Sequence, residues 1–474
     1  MAAAHPLPRQ ASSAAGLPRQ ASSAPGESVV AAAASVLAAP GEPAALTRWL
    51  PSDAPHADLD WARSGAMALT GEPGGPPRLA PAPLARAARA ARDALLALGG
   101  GAALAGLDAP ALLGERAAVF GLARRGRIAP GGSCRLLRAR DGWLAVNLAR
   151  PDDLALLPAW LGEGDASDPW RFAEEGAAGE PVAALVERAV LLGLPAAHAG
   201  SPPRRPLPWH RIAARGPARE RAPEEAPLVL DLSALWAGPL CTHLLQLAGA
   251  RVVKLESAGR PDGARAGPAA FFDLLNAGKQ SVALDFASVA GRDRLRRLVE
   301  RADVVVESSR PRALRQFGID AEAWLAARAG RTWLSLTGHG RSGADADRVA
   351  FGDDAAAAAG LVVATGDAAA PLFCGDAIAD PIAGLHGAVA ALASFRAGGG
   401  HLLDVSLRDG VAHWLTGASG VREARVEGEE TGWEVAFAGR REPVRPPRAR
   451  SAAGVARALG ADTAAVLAEL DRPC

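Results

Sequence analysis

Asp380 is the residue whose position in the sequence most clearly suggests chemistry, because it stands where a long small-residue helix begins. At a helix start, free backbone N–H groups and the positive end of the helix dipole favour an ionised carboxylate at neutral pH. Such a carboxylate can attack a carbonyl carbon and form a covalent intermediate. An Asp before a helix also serves as an ordinary N-cap. Asp376, four residues earlier, is the main rival nucleophile, and a turn acid is the alternative role for it.

Cationic residues follow several predicted strands of the same half of the chain. Ligands of parallel sheets bind beyond the carboxyl ends of the strands, so residues at these places are candidates for binding. Gly238, at the start of a predicted helix, would let the backbone approach a ligand closely, and a packing glycine is the alternative. Lysine is rare in this half, which makes its positions the more informative ones. The candidate cations are Lys254, Arg260, Arg265, Lys279 and Arg310.

Strands and helices alternate from residue 228 onward. Short apolar runs rich in Val and Leu are separated by helix-length segments, a pattern typical of a parallel, doubly wound α/β sheet. We therefore predict a Rossmann-like large domain together with a smaller α+β domain. His243 and His386 fall inside predicted helices and are expected to be ordinary helix residues. The predicted strands are LVLDLS (228–233), RVVKLE (251–256), SVALDF (281–286), ADVVVES (302–308) and RTWLSLTG (331–338).

The first half of the chain has a weaker pattern. Residues 30–100 are Ala-rich and predicted helical, residues 135–148 predict a hairpin around Asp141–Gly142, and residues 151–161 predict a helix. Residues 201–227 are rich in Pro and Arg and are predicted to be a linker. Residues 1–29 contain the repeat LPRQASSA, starting at Leu7 and Leu17, and are predicted to be a disordered tail.

Composition narrows the classes of partner and compartment. The 474 residues carry a net charge of +1, which gives no reason to expect nucleic acid or an anionic membrane. An apolar run of 18 residues suited to a membrane span is absent from the sequence. The four cysteines, Cys134, Cys241, Cys374 and Cys474, are far apart, so a zinc site or a disulfide framework is not expected. A reducing, cytoplasmic location fits best.

Eight segments in order resemble the CaiB/BaiF family of CoA-transferases, also called family III, over most of residues 228–410. The resemblance implies a transferase that moves CoA between an acyl-CoA thioester and a small carboxylic acid, as a homodimer and without a metal. It implies that Asp380 is the covalent carrier, because Ala379-Asp380 and Gly384 match the family's A-x-D-x-x-x-G pattern. The eight segments are DLSALWAGP, GARVVKLE, NAGKQSVALDF, ADVVVESSRP, FGID, SLTGHGRSG, GDAIADPIAGLHGAVAALASF and GGGHLLDVSLRDG.

Coenzyme A carries phosphates, which cations and helix N-termini bind. The resemblance therefore assigns CoA binding to Gly238, Lys254, Arg265, Lys279, Arg310 and His339. Backbone N–H groups near Gly338–Gly340 or Gly375 are candidates for stabilising the oxyanions. Phe351 and Gly352 stand where racemases of the superfamily carry a His-Asp pair, so that acid/base pair is expected to be absent. A racemase or isomerase and a non-catalytic CoA-binding subunit remain the alternatives.

The two halves share a short stretch of similar sequence. SGAMALTGE (64–72) is similar to AGLVVATGD (359–367), and Arg86 then stands where the later segment has Asp380. Residues 115–161 are similar to the family's small domain. We therefore interpret residues 30–200 as a degenerate partial copy with a small-domain-like segment, and residues 228–474 as the CoA-binding catalytic domain. The alternative is chance similarity between Ala-rich helices.

Overall fold

The computed structural model describes residues 28–39, 41–42, 44–165, 167–415, 423–429 and 432–470. The repeat at Leu7 and Leu17 and the last cysteine, Cys474, lie outside these ranges. Within them, no helix is long and apolar enough to cross a lipid bilayer.

A seven-stranded sheet forms the centre of the fold, in the order β4-β10-β9-β8-β5-β6-β7. All neighbouring strands are parallel except β4, which pairs antiparallel with β10 at one edge. The mixed α/β architecture with a mainly parallel sheet confirms the predicted fold class. The strands are β4 (Arg211–Arg215), β5 (Leu228–Leu232), β6 (Arg251–Ser257), β7 (Gln280–Leu284), β8 (Val304–Glu307), β9 (Thr332–Thr337) and β10 (His401–Ser406).

Helices of the second half connect these strands. The 18-residue helix α18 is buried along almost its whole length and packs against α11. A three-stranded antiparallel sheet, β11 (Arg425–Glu429), β12 (Gly432–Phe437) and β13 (Arg440–Pro443), follows them. The helices are α11 (Ala237–Leu247), α12 (Ala269–Asn276), α13 (Val289–Arg301), α14 (Pro311–Gln316), α15 (Ala321–Ala327), α16 (Gly352–Ala358), α17 (Leu361–Thr365), α18 (Ala379–Arg396), α19 (Leu407–Leu415) and α20 (Thr463–Leu470), with a 3₁₀ turn at Gly263–Ala266.

The first half is mainly helical and carries its own three-stranded antiparallel sheet, in the order β1-β2-β3. The predicted hairpin is confirmed, with Arg138 opposite Trp143 at its closed end. The elements are α1 (Val29–Ala38), α2 (Ala44–Thr47), α3 (Ala57–Arg63), α4 (Leu84–Ala97), α5 (Ala102–Ala105), α6 (Glu115–Phe120), β1 (Cys134–Arg138), β2 (Trp143–Asn147), α7 (Pro151–Ala155), α8 (Leu157–Leu161), α9 (Pro169–Ala178), α10 (Val182–Leu192) and β3 (Ala196–His198), with 3₁₀ turns at Met67–Leu69 and Ala109–Gly114.

One hydrophobic core joins the two halves. Helices α1 and α4 of the first half pack directly on α18 of the second. Leu84 and Leu95 on α4 and Leu385 and Val389 on α18 belong to the same cluster, and all four are fully buried. Burial of apolar area is the main stabilising contribution in folding, so neither half can leave the other without exposing this face to water.

Residues 201–227, predicted to be a linker, contribute a strand to the large sheet. Strand β4 pairs along residues 211–215 with β10, through a register shift between Leu402 and Leu403. The short run RIAAR lies between Pro- and Arg-rich residues, and an edge strand pairs on one side only, so its pattern of apolar residues is too weak to predict a strand. The sheet β11–β13 was also absent from the prediction.

Both lysines of the chain are buried in one charge network, which joins the carboxyl end of β5, the middle of β6 and the residue that precedes β7. Lys279 Nζ lies 3.0 Å from Asp231 Oδ2 and donates to Thr242 Oγ1 at 2.7 Å. Lys254 Nζ lies 2.9 Å from Asp262 Oδ2 and donates to the Ser233 carbonyl oxygen. Burial lowers the pKa of Lys279 to about 8, although the Asp231 carboxylate opposes that change. The network ties three strands and the start of α11 together.

Lys279→Met should lower the free energy of unfolding by about 3–5 kcal/mol, because it leaves the Asp231 carboxylate buried without its partner. Urea denaturation followed by circular dichroism measures this change. Arg251→Met is the matched control: its pair with Glu469 is exposed on both sides and should cost less than about 1 kcal/mol. Asp231→Leu combined with Lys279→Met should recover part of the loss. If Lys279→Met left the free energy of unfolding unchanged and weakened CoA binding, Lys279 would instead be a ligand-binding residue.

Candidate active site

Asp380 is the second residue of α18, and a strained turn positions it. Gly375 and Ala377 both have left-handed backbone conformations, with φ of 70° and 43°. A residue with a side chain rarely adopts this region, and such strain concentrates at functional sites. The Ala377 N–H donates to Asp353 Oδ1 at 2.8 Å, and its carbonyl oxygen accepts from the Asp380 N–H at 2.9 Å. The buried Asp353 therefore holds the turn that presents Asp380.

The carboxyl group of Asp380 lies against the backbone of Gly352. A Cβ atom at Gly352 would come within 2.4 Å of Asp380 Oδ2 and 2.3 Å of the Ala377 carbonyl oxygen, so this position requires glycine. Asp380 keeps partial solvent exposure, although protein atoms surround its carboxyl group. Burial raises its pKa to about 7, more than the Gly352 N–H lowers it. The prediction of an ionised carboxylate at neutral pH is therefore wrong, because loss of hydration raises the pKa of Asp380 more than the helix start lowers it.

Three further buried carboxyl groups surround Asp380. We call Asp353, Asp354, Asp376 and Asp380 the carboxylate cluster. Burial and the neighbouring Asp376 raise the pKa of Asp353 to about 8. Burial raises the pKa of Asp354 to about 7, although Asp354 Oδ1 accepts from the Phe351 N–H at 2.9 Å. Like charges that share a site disfavour simultaneous ionisation, so the cluster binds protons near neutral pH.

Arg116, on α6 of the first half, is the cation of this cluster. Its Nη1 lies 2.8 and 2.9 Å from the two carboxylate oxygens of Asp376. Arg116 is also the strongest charge that lowers the pKa of Asp380. Asp376, the rival nucleophile, is fully buried and engaged in this ion pair, which suits a structural turn acid better than a group that must meet a substrate.

The first half contributes further hydrogen bonds around the site. Thr70 Oγ1 accepts from the Gly375 N–H at 2.9 Å, and Asn147 Nδ2 donates to Asp354 Oδ1 at 3.2 Å. Thr70 and Asn147 each lie more than 200 residues before their partners Gly375 and Asp354 in the chain. Sequence spacing therefore contained no signal for Arg116, Asn147 or Thr70. The adjacent pair Asp353–Asp354 was visible in the sequence but was not assigned to the site.

The two predicted CoA-binding lysines do not reach the surface. Lys254 and Lys279 are 1% and 2% exposed, and their ammonium groups are engaged by protein acceptors in the charge network. Gly238 packs closely against Ser233, because a Cβ at this glycine would lie 2.1 Å from the serine Cβ. This geometry favours the packing alternative for Gly238 and indicates a structural role for both lysines.

The remaining predicted contacts differ in accessibility. Arg265 is paired with Glu256, at 2.6 Å, and covers the ring of Phe272. Arg260 and Arg310 are exposed, and the side chain of Arg310 has no ion pair within the described ranges. His339 is 5% exposed, and burial lowers its pKa to about 3. Its ring is therefore neutral and enclosed, which does not suit stacking on an exposed adenine.

Two of the backbone N–H groups predicted to stabilise oxyanions are engaged by side chains of the protein. The Gly340 N–H donates to Thr337 Oγ1 at 3.0 Å, and the Gly375 N–H donates to Thr70 Oγ1. Gly338 is also tightly packed, with Ala350 Cβ 2.6 Å from where its own Cβ would be. The N–H of Gly352, which lies against the Asp380 carboxyl group, is the backbone donor that the structure places at this site.

The second half of the chain is similar to known CoA-transferases. The model of CoA-transferase family III matches residues 227–443, the segment that contains Asp380. The succinyl-CoA–D-citramalate CoA-transferase of Chloroflexus aurantiacus is 31% identical over 195 residues, which cover 39% of this chain and 48% of that protein. The acetyl-CoA:oxalate CoA-transferase of Acetobacter aceti is 31% identical over 211 residues, covering 42% and 54%.

Among solved structures, a CAIB/BAIF family protein from Brucella suis is similar to this chain. The two are 31% identical over 41% of this chain and 55% of that one, with a TM-score of 0.37. The chain thus spans about half the length of the curated relatives that it matches. Residues 227–443, somewhat less than half of the chain, are thus similar to family III of the CoA-transferases.

Proposed function

We propose that the protein transfers CoA between an acyl-CoA thioester and a small carboxylic acid, with Asp380 as the covalent carrier. The observation that supports this most directly is the placement of Asp380: partly exposed, at the start of α18, with its carboxyl group held against the backbone of Gly352. The relatives are named for succinyl-CoA with D-citramalate and for acetyl-CoA with oxalate, which favours a small carboxylic acid as the acceptor.

The proposed reaction has two matched halves. The Asp380 carboxylate attacks the thioester carbonyl, the C–S bond breaks, and an acyl-aspartyl anhydride and the CoA thiolate are formed. The thiolate then attacks the aspartyl carbonyl and releases the donor acid, leaving an aspartyl-CoA thioester. The acceptor carboxylate attacks that thioester, and the thiolate finally attacks the acceptor's acyl carbonyl. A new acyl-CoA leaves, and the Asp380 carboxylate is restored without any net change in protons.

The carboxylate cluster controls the first step. Attack requires the Asp380 anion, and with a pKa of about 7 only part of the protein carries it at neutral pH. Arg116 favours the anion through its positive charge, whereas Asp354 and Asp376 disfavour it. Arg116 is therefore a positioning residue, which acts on the nucleophile from the first half of the chain. The Gly352 N–H is the proposed donor to charge that develops at the aspartyl oxygen.

CoA recognition is proposed for the loops that follow the strands of the large sheet. Arg260 and Arg310 are the exposed cations there and suit the phosphates of CoA. The homodimer, the cytoplasmic location and the absence of a metal stay proposals. The non-catalytic CoA-binding subunit remains the second candidate, because both lysines predicted to contact CoA are buried in the charge network. The two candidates differ in whether Asp380 becomes acylated.

Incubation with succinyl-CoA and hydroxylamine should convert Asp380 to its hydroxamate, detectable by peptide mass spectrometry. Asp380→Asn should abolish labelling and turnover while keeping the circular dichroism spectrum. Asp376→Asn is the comparison variant, and any label that it acquires should be on Asp380, because Asp376 serves the ion pair with Arg116. Label on Asp376, or normal turnover by Asp380→Asn, would contradict the assignment; CoA binding without any label would favour the non-catalytic subunit.

Arg116→Gln should move the pH dependence of Asp380 labelling upward by about one pH unit or more, because loss of the neighbouring cation disfavours the anion. In the unmodified protein, labelling should rise with pH through about 7, since the raised pKa leaves Asp380 protonated below that value. Initial labelling rates from pH 5.5 to 9 measure both profiles.

Arg116→Lys keeps the positive charge and should leave the inflection near that of the unmodified protein. Combining Arg116→Gln with Asp376→Asn removes one charge of each sign. The inflection of the double variant should therefore lie between that of Arg116→Gln and that of the unmodified protein. A uniform loss of labelling at every pH, with no movement of the inflection, would show that Arg116 acts only in folding.

The first half should be required for the site even when the chain is cut. A protease sequence inserted between Arg204 and Arg205, which are exposed and precede β4, would separate the halves without dividing the large sheet. The nicked protein should elute as one species in gel filtration and keep its labelling at Asp380. Residues 205–474 expressed alone should aggregate or fail to be labelled, because the α18 face and the Asp376 charge lose their partners. Full labelling of that fragment would show that the first half is dispensable.

A further inference from the structure

A loop of the first half, residues 124–132, is attached to the turn that precedes α18. The Phe373 N–H donates to the Gly126 carbonyl oxygen at 3.0 Å. Further along the loop, the Gly131 N–H is directed at the carboxylate of Asp376. Because the loop contains three arginines, we call it the arginine loop. Its two contacts place it beside the carboxylate cluster, on the side that the first half contributes.

Two successive glycines of the arginine loop lie against guanidinium groups. A Cβ atom at Gly131 would lie 2.8 Å from Arg116 Nη2, and one at Gly132 would lie 3.0 Å from Arg125 Nη1. Arg116 is engaged by Asp376, whereas the side chain of Arg125 is exposed. A cation in contact with solvent therefore lies next to the ion pair of the carboxylate cluster.

The three arginines of the loop differ in what their guanidinium groups contact. Arg124 donates to three backbone carbonyl oxygens within residues 68–75, at 2.6 to 3.3 Å. Arg127 lies over the ring of Trp143, with 5.5 Å between its Cζ and the ring centroid. In the described part of the chain, the guanidinium group of Arg125 has neither an ion pair nor a hydrogen bond. Arg125 is therefore the arginine of this loop whose donors are all available.

The proposed reaction brings carboxylate anions to this place. Each turnover releases the donor acid and admits the acceptor acid, and carboxylic acids are ionised at neutral pH. The carboxylate cluster disfavours a further anion, and the exposed carboxylate of Glu72 lies against Gly126 of the loop. Arg116 already contacts both carboxylate oxygens of Asp376. A further cation is therefore needed to stabilise an acid beside the cluster.

We propose that Arg125 binds the carboxylate of the free acid substrate. This inference rests on the proposed function, since it assigns a residue to one of the two substrates of that reaction. A guanidinium group can donate two parallel hydrogen bonds to a carboxylate, and Arg125 has no competing partner within the described ranges. Arg260 and Arg310, the cations proposed for CoA, belong to the second half. The acid is thus recognised from the first half of the chain and CoA from the second.

Equilibrium binding to the full chain tests this assignment. Asp380→Asn prevents the reaction, so isothermal titration calorimetry on that parent variant, with and without CoA, measures succinate binding without turnover. Adding Arg125→Gln should raise the Kd for succinate about tenfold or more, because charge-assisted hydrogen bonds to the carboxylate are lost. The Kd for CoA should stay unchanged. Succinamide, which carries no charge, is the matched probe, and its weaker binding should not depend on Arg125.

Two further variants separate a specific contact from a general effect of charge. Arg125→Lys keeps the positive charge and should recover part of the affinity for succinate. Arg127→Gln is the matched control, since it removes the same charge two residues away, from a guanidinium group that lies over Trp143. Its Kd for succinate should stay within about twofold of the parent value, because solvent and salt screen an exposed charge that makes no contact with the acid.

Equal losses of succinate affinity in Arg125→Gln and Arg127→Gln would overturn the proposal, as would weaker binding of CoA in place of succinate, or no succinate binding to the parent protein. A circular dichroism spectrum that matches the parent shows that Arg125→Gln is folded. Labelling of Asp380 by hydroxylamine is measured separately from these titrations. If the label is absent but succinate binding depends on Arg125, the proposed reaction fails and the acid site stands. If the label is present and succinate binding does not depend on Arg125, only this inference fails.

Discussion

The ion pair between Arg116 and Asp376 is the interaction on which the arrangement of the site depends. It joins α6 of the first half to the turn that precedes α18, where four carboxyl groups converge. Without that guanidinium, Asp376 would be a buried charge with no cation beside it, and such a charge is strongly destabilising. The hydrogen bond from the Gly375 N–H to Thr70 and the shared core around α18 attach the halves at the same place. Fold and site therefore depend on the same contact between halves.

A second group of charges has a different role inside the large sheet, where it joins β5, β6 and the start of β7. Lys254, Lys279, Asp231 and Asp262 are all buried and saturate one another, so they fix the geometry of β5, β6 and β7 instead of meeting a ligand. A lysine within a strand or directly before one has the same sequence context whether it serves structure or binding. Only its burial distinguishes the two roles, and burial depends on the loops that cover it. The exposed cations near the carboxyl ends of these strands are arginines.

Strand and helix alternation made the large sheet predictable, since each of β5 to β9 is a short segment with several Val or Leu residues. The edge strand β4 was missed because it is half-exposed and lies among prolines and arginines. For the site, the helix start at Asp380 was visible in the sequence. Its ionisation was not, because the effect of a helix start is local whereas burial and Arg116 come from distant segments. The interpretation of the first half as a degenerate copy stays a prediction.

The raised pKa of Asp380 has a consequence for the proposed covalent chemistry. Burial makes the charged carboxylate of Asp380 less stable than any uncharged form of the same side chain. The acyl anhydride and the CoA thioester of Asp380 are both uncharged at that side chain. The same desolvation that reduces the fraction of anion therefore favours the acylated states once they form. Arg116 opposes this effect without cancelling it, since Asp354 and Asp376 remain beside the nucleophile. A cluster with one cation and four carboxyl groups thus suits a residue that alternates between a charged and a neutral state.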